Sequence, residues 1–395
     1  MLETLTKYMG NFTSYIPTEI VFGWGRLAEI GTLAARYGKK ALVVTGHSSP
    51  AGAALYARVA DYLAGAGVEA ARFDGVIPNP TTDVVSAGAQ IARNFGADLL
   101  IGLGGGSSMD TAKAVAVEAS HPGTAWDYLH YTAGPTDKTL PIIAVGTTAG
   151  TGSQTTPCAV ITNPAKKDKS AIWHRNIFPK IALVDPELTV SMPESVSAQT
   201  GFDAFCHNFE AYLSVNSNPL TDTLALDALG IIACALPEVL ADGSNREARS
   251  GMAWADTVGG MVIASAGVTL PHGLGMQIGG HCPQVSHGQS LAVFYPEFTR
   301  YTWQAAPEKF AAAGRLLDPA LKVADNREAA ERSCEAVDRF LRKIGLWIDF
   351  KSLGVSKEDI RAIADCGQVL GDYRNNPRIA SIPEMYEMLM RCYER

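Results

Sequence analysis

The chain has 395 residues, 47% of them hydrophobic and 18% charged. That apolar fraction excludes a disordered or fibrous chain. With 33 Lys and Arg against 40 Asp and Glu, the net charge of −7 argues against nucleic acid or an anionic membrane as partner.

Seven cysteines, at 158, 206, 234, 282, 334, 366 and 392, contain no C-x-x-C. Neither a disulfide framework nor a thiolate zinc site is expected, which favours a reducing cytoplasm. Met1 to Gly10 has no apolar core of a secretory signal, and no run of about 18 apolar residues predicts a membrane span.

In chain order, Ile20, Val21 and Phe22 suggest an edge strand that would pair with a second copy of the chain. Residues 41–45 form an apolar run between Lys40 and Gly46, which predicts a buried strand. A helix over 50–63 and a strand over 68–73 follow. Pro78, Asn79, Pro80 and Thr81 supply turn and capping residues ahead of a helix over 84–95. Residues 98–103 predict the next strand; Gly104, Gly105 and Gly106 lead into a helix over 107–118. Further strands are predicted over 140–145, 159–162 and 180–184. Strands alternating with helices of about 10–15 residues imply a largely parallel sheet.

Beyond Pro186 the strand signal stops. Helical periods run over 195–214, 219–240, 246–266, 291–303, 307–317, 327–344, 356–365 and 382–393. The expected architecture is an α/β domain over 1–190 with a mainly parallel, Rossmann-like sheet, then an all-α domain over 191–395. Clefts between domains are common ligand sites.

Four segments carry chemistry. Gly104, Gly105, Gly106 and Ser107 lie between a strand and a helix, where backbone N–H groups and the helix dipole suit a pyrophosphate. The spacing is neither G-x-G-x-x-G nor a Walker A loop, and a glycine turn without a ligand would read the same way. Thr147, Thr148, Gly150, Thr151, Gly152 and Ser153 form a second small-residue loop after an apolar strand; a polar loop with Ser/Thr turns is the plainer reading. Asp203 and His207, four apart on a helix, share one face and make half a metal site, with Glu210 as an outer carboxylate. The alternative is an early-turn acid and a satisfied core histidine. His272-Gly273 and His287-Gly288 repeat one context fifteen residues apart, readable as ligands at helix ends or as loop histidines with capping glycines. Three imidazoles and one carboxylate suit iron or zinc and not calcium or magnesium. Trp126, Trp173, Phe202, Phe205 and Trp254 are candidates for a pocket or, more simply, for the core.

Together these segments resemble the iron-dependent (group III) alcohol dehydrogenase family, in its butanol and 1,3-propanediol dehydrogenase-like branch. The matching residues are Pro78-Asn-Pro-Thr, Gly104-Gly-Gly-Ser with Asp110 and Lys113, Thr147-Thr-x-Gly-Thr-Gly-Ser153, Gly201-x-Asp-Ala-x-x-His207, His272-Gly and His287-Gly. The resemblance implies an architecture like that of dehydroquinate synthase, with an NAD(P)-binding domain over 1–190 and a helical domain over 191–395 holding one Fe2+ or Zn2+. It implies an enzyme that moves a hydride between nicotinamide and a small alcohol or aldehyde, acting as a cytoplasmic homodimer or higher homo-oligomer. Asp203, His207, His272 and His287 match the family's metal ligands. Asn79, Pro80, Gly104, Gly105, Gly106, Ser107, Asp110, Thr147, Thr148, Thr151 and Ser153 match its cofactor positions.

Many relatives that prefer NAD carry Asp after the first strand; here the run is Gly46, His47, Ser48 and Ser49. No carboxylate there opposes a 2′-phosphate, so NADP(H) is expected ahead of NAD(H). Relatives often place a second His four residues after the one matching His272. Met276 stands there, leaving His281 as a candidate proton carrier, with an ordinary loop histidine as the plainer reading. Gln154 replaces a frequent Glu. A polyol, hydroxy-acid or maleylacetate-type reductase is the alternative within the superfamily. A cyclising synthase is disfavoured because residues 270–292 contain no Lys or Arg. A nucleotide-binding protein without turnover is disfavoured because all four ligand types are intact.

Overall fold

The computed structural model describes residues 11–47, 50–131 and 134–395. Met1 to Gly10, read above for a signal, and Ser48 and Ser49, read as cofactor contacts, lie outside the described residues. The chain forms two compact units. One is Ile16–Met192; the other is Pro193–Arg395 together with residues 11–15, where Ser14 Oγ lies 3.2 Å from Ser265 Oγ. The expected first domain began at residue 1, so residues 11–15 are a correction to it.

Among the described residues the first unit carries eight strands: β1 Glu19–Phe22, β2 Lys40–Gly46, β3 Glu69–Val76, β4 Leu99–Gly104, β5 Ile142–Gly146, β6 Cys158–Asn163, β7 Asp168–Trp173 and β8 Ile181–Val184. Its helices are α1 Ile30–Ala34, α2 Pro50–Gly65, α3 Thr82–Phe95 and α4 Gly106–Ser120. Six strands make one sheet in the order β1-β8-β5-β4-β2-β3, every pair parallel. Along each central strand successive side chains enter opposite layers. Leu42, Val44 and Leu100 pack with Val85, Ala89 and Val115 of α3 and α4; Ala41, Val43 and Ile101 pack with Val59 and Leu63 of α2. Burial on both faces explains why these strands read as unbroken apolar runs.

The order places a switch point between β2 and β4. From β2 the chain crosses outward to β3; from β4 it crosses the other way to β5. Doubly wound sheets bind ligands in the crevice outside the carboxyl ends of such a strand pair.

One expectation needs correcting. The strand predicted over 159–162 does not join the parallel sheet: β6 pairs antiparallel with β7, which the sequence reading did not predict. Asn163 caps the connecting turn and Lys167 takes a left-handed φ of 50°, giving the short reversal that only an antiparallel pair accepts. The edge strand at 20–22 is present, pairing with β8 of the same chain.

The second unit is helical: α5 Glu194–Leu213, α6 Pro219–Ala241, α7 Arg246–Ala266, α8 Leu270–His281, α9 His287–Thr302, α10 Pro307–Leu317, α11 Asn326–Lys343, α12 Lys357–Asp365 and α13 Ile382–Glu394. Helix α6 reaches a mean hydropathy of 1.9 over 18 residues, enough by length and composition for a membrane span. Its Ala225, Leu229, Ile232 and Leu236 are buried, and it packs on α5 and α7. Helix α8 was missed. Four glycines, at 273, 275, 279 and 280, argue against a helix at about 1 kcal/mol each, and burial of the whole segment from Leu270 to Gly279 overrides that cost. All seven cysteines are free thiols.

Candidate active site

At the carboxyl end of the sheet, four neighbouring strands deliver the expected cofactor residues. Gly46 and His47 follow β2, Asn79 and Pro80 follow β3, Gly104 to Ser107 follow β4, and Thr147 to Ser153 follow β5. Gly104 has φ 150°, and a Cβ there would sit 2.5 Å from Ser108 Oγ. A Cβ on Gly106 would lie 2.6 Å from Thr151 Cγ2, so the threonine loop packs against bare backbone. Thr147 N–H donates to Gly104 C=O at 2.9 Å, joining the two loops. Helix α4 starts with no side-chain cap. Its first N–H groups therefore have no side-chain acceptor at the place where an anion is favoured.

Beneath these loops lies a charge pair. The Lys113 side chain is fully buried. Its Nζ donates to Ser153 C=O at 2.6 Å, Ser153 Oγ at 2.9 Å, Thr156 C=O at 3.0 Å and Cys158 C=O at 2.7 Å. Burial pushes its pKa down, and Asp110, 3.9 Å away, opposes that. Asp110 accepts from Ser153 Oγ at 2.6 Å and Val160 N–H at 3.0 Å. Asp110 and Ser153, expected as cofactor contacts, are thus engaged with the protein and fix the threonine loop to α4. Asn79 takes a left-handed φ of 51°, and its Oδ1 accepts from Lys169 Nζ at 2.8 Å. Sequence reasoning missed Lys169. A lysine in an antiparallel ribbon reads as solvated, yet this one is 4% exposed.

In the helical unit, Asp203 and His207 emerge from one face of α5, His272 from the first turn of α8, and His287 from the first residue of α9. Three imidazole Nε2 atoms surround Asp203 Oδ1: His272 at 3.4 Å, His287 at 3.6 Å and His207 at 3.7 Å. Ligands about 2.1 Å from a tetrahedral ion stand about 3.4 Å from one another, so the spacing fits one divalent ion. Asp203 Oδ1 and His272 Nε2 are buried without a hydrogen-bond partner among the described residues. Ligand atoms of Asp203, His207 and His272 all lie within 4.8 Å of one another; His287, with its side chain 26% exposed, stands on the open side.

Glu210, one turn beyond His207, accepts from His272 Nδ1 at 2.7 Å and from Thr269 N–H at 2.8 Å. That contact puts the proton on Nδ1 and leaves Nε2 to ligate. Burial raises the Asp203 carboxyl pKa, but the surrounding imidazoles reverse this and hold it well below the usual carboxylate range. Burial disfavours charge on His272, yet Glu210 and Asp203 lift it to about 10. The cage therefore stabilises positive charge. Asp372 is pushed up by burial to about 6, against the pull of His272.

Several expectations change here. Asp203 is not an early-turn acid; it is the tenth residue of α5. Neither His-Gly step is a loop. Both glycines are helical, and Gly288 is required by a close approach, since a Cβ would meet the Gln199 C=O oxygen at 2.5 Å. His281 ends α8 with Nδ1 on the Gln277 C=O of its own helix. Nine residues on a helix rotate it about 180° from His272 and carry it about 13.5 Å along the axis, so the geometry does not support it as a proton carrier. Phe202 and Phe205 are core, stacked at 5.7 Å and in edge contact with Tyr295. Trp126, Trp173 and Trp254 are half-buried.

Residues 17–186 match the profile of iron-containing alcohol dehydrogenase, and residues 197–393 that of the C-terminal part of the Fe-containing alcohol dehydrogenase family. The chain is 34% identical to the NAD-dependent methanol dehydrogenase of Bacillus methanolicus, over 96% of this chain and 99% of that one. It is 34% identical to the 1,3-propanediol dehydrogenase of Klebsiella pneumoniae, over 97% and 99%. Among solved structures it is similar to an archaeal halo-thermophilic alcohol dehydrogenase from a Red Sea brine pool, with TM-score 0.93, 35% identity and coverage of 97% and 99%. Two matched halves, relatives that share nearly the whole length, and a sheet-plus-helices fold common to both place this chain in the iron-containing alcohol dehydrogenase family, as an oxidoreductase acting on a CH–OH group.

Proposed function

We propose that Asp203, His207, His272 and His287 hold one Fe2+ or Zn2+, and that the enzyme interconverts a small neutral alcohol and its aldehyde with NADP(H) preferred over NAD(H). The carrying observation is the convergence of three imidazole nitrogens on one carboxylate oxygen at 3.4–3.7 Å. When bound, the ion supplies a Lewis acid to the substrate oxygen and the nicotinamide supplies or takes the hydride. Asp203 brings the single ligand charge, and Glu210 holds His272 in the ligating tautomer. The three imidazoles must be neutral, so metal affinity falls at acid pH. Met276 provides no titratable group for proton transfer.

The sheet unit is the dinucleotide domain in this reading and the helical unit the metal domain. The pyrophosphate lies on the backbone of Gly104 to Ser107, with Thr147, Thr148 and Thr151 alongside. The cofactor preference rests on Gly46 and His47, where a carboxylate would repel a 2′-phosphate, and it differs from that of the methanol dehydrogenase relative, which is NAD-dependent by name. A short alcohol or diol fits the relatives' printed substrates. The protein is proposed to be a cytoplasmic homodimer or larger homo-oligomer in which β1 pairs across chains. Elemental analysis, sedimentation, and loss of NADPH absorbance with a panel of short aldehydes test these points. A metal-free chain with full turnover would overturn the metal assignment, and a higher kcat/KM with NADH would overturn the cofactor preference.

A further inference from the structure

The edge strand β3 carries a cation that the reaction does not explain. Arg72 faces the α2 side of the sheet, where its guanidinium lies 4.9 Å over the Tyr56 ring. Its Nε donates to Thr45 Oγ1 at 3.1 Å, which brings the head group level with the end of β2, one residue before Gly46. Nη1 stands 4.0 Å from Asp74 Oδ2, on a carboxylate 54% exposed to solvent. Nη2 is buried and has no hydrogen-bond partner among the described residues. A buried guanidinium N–H without an acceptor is destabilising, and such orphans call for a bound ion or water.

The position gives that donor a purpose. The glycine turn follows β4, and adjacent strands are about 4.8 Å apart. A dinucleotide whose pyrophosphate sits at the switch point, with its adenosine half running over the end of β2, brings its ribose to the β2–β3 edge within about 10 Å. Gly46 leaves that edge open. His47 binds Asp74 C=O through Nδ1 at 2.9 Å, so its imidazole is held at the same edge. Three of the four features there are neutral or cationic: Gly46, His47 and Arg72. Asp74 is the opposing charge, and its weak, solvent-screened pairing with Arg72 is one that a dianion displaces.

We infer that Arg72 is the residue that selects the 2′-phosphate of NADP(H), using the guanidinium already aligned by Thr45 and Tyr56. This rests on the cofactor preference proposed above. It predicts a cofactor-specific effect of one side chain that touches neither the metal nor the reacting carbon.

Isothermal titration of the metal-loaded protein with adenosine 2′,5′-bisphosphate, 5′-AMP, NADP+ and NAD+ tests it. In Arg72→Met, which keeps the aliphatic stem on Tyr56, affinity for the two 2′-phosphate ligands should fall about 10- to 100-fold. Affinity for 5′-AMP and NAD+ should stay within about twofold. Arg72→Lys should recover part of the loss, since a point charge replaces the fork, and Asp74→Asn should tighten the 2′-phosphate ligands alone. An equal loss for all four ligands, or no loss for any, overturns the inference, and the melting temperature of each variant separates a folding defect from either. If the wild-type chain binds NAD+ as well as NADP+, the cofactor preference itself falls. If it prefers NADP+ and Arg72→Met keeps that preference, only the role of Arg72 falls.

Discussion

The two candidate sites are made of different material. At the sheet edge, the surface offered to a ligand is mostly backbone: glycines at 104, 105 and 106 and the uncapped start of α4, backed by threonines. In the helical unit the centre is entirely side chain: one carboxylate and three imidazoles from three helices. A backbone site depends on conformations that only certain residues permit, so it is marked locally in the sequence. A side-chain site depends on distances between helices. The first fails when something is added, and the second when something is removed.

Removal at the metal centre should have the largest effect. His272→Ala takes away one proposed ligand and the imidazole partner of the buried Glu210. Turnover should fall by more than the 10–100-fold typical of losing an outer partner alone, with metal content per chain falling in parallel in elemental analysis. Glu210→Gln should sit within that 10–100-fold range for metal affinity. Unchanged metal content in both variants would mean that the cage is not the binding site.

Lys113→Met probes the support beneath the backbone site. It leaves Asp110 as an uncompensated carboxylate 14% exposed, which should cost about 3–5 kcal/mol in denaturant unfolding. Adding Asp110→Asn should recover part of it. A loss below about 1 kcal/mol would mean that the pair is better hydrated than its burial implies.

Addition at the backbone site comes next. Gly106→Ala forces a Cβ into Thr151, an overpacking cost of about 1–3 kcal/mol. The cofactor KM should rise about tenfold with metal content unchanged, and Thr151→Ala in the same chain should relieve it. Equal effects on metal and cofactor would erase the distinction between the two sites.

The smallest effect serves as a control. Glu384 closes the capping box of α13 with Ser381, and burial opposes but does not outweigh these contacts, which lower its pKa to about 2. Because the folded value lies below the unfolded one, its stabilisation is present above about pH 4.5 and is lost as pH falls toward 2. The side chain is 36% exposed, so Glu384→Gln should cost no more than about 0.5–1 kcal/mol at pH 7. That difference should shrink in melts as pH falls through about 2, and metal and cofactor binding at pH 7 should be unchanged.

Much of this was legible beforehand. The apolar runs at 41–45 and 98–103 announced strands buried on both faces, and the glycine and threonine clusters marked the loops that follow them. The four metal-type residues were nameable from type and spacing. Helix α8 was not legible, because its four glycines carry the statistics of a loop. The strand over 159–162 is expected in the parallel sheet, since a strand's partner is not written in its own residues, and β7 is not expected at all. Lys113, Lys169 and Arg72 are chemically visible as cations, but their burial and their partners are not.

By itself the sequence determined the local chain: which residues prefer extended or helical backbone, where the chain must turn, and which atoms could bind an ion. Only the tertiary structure decided the strand order that puts a switch point between β2 and β4, and the meeting of Asp203 with histidines as far away as residue 287. Dihedral preferences and period act over a few neighbours. The distance between side chains on separate helices is set by how those helices bury their apolar faces, a property of the whole packed unit.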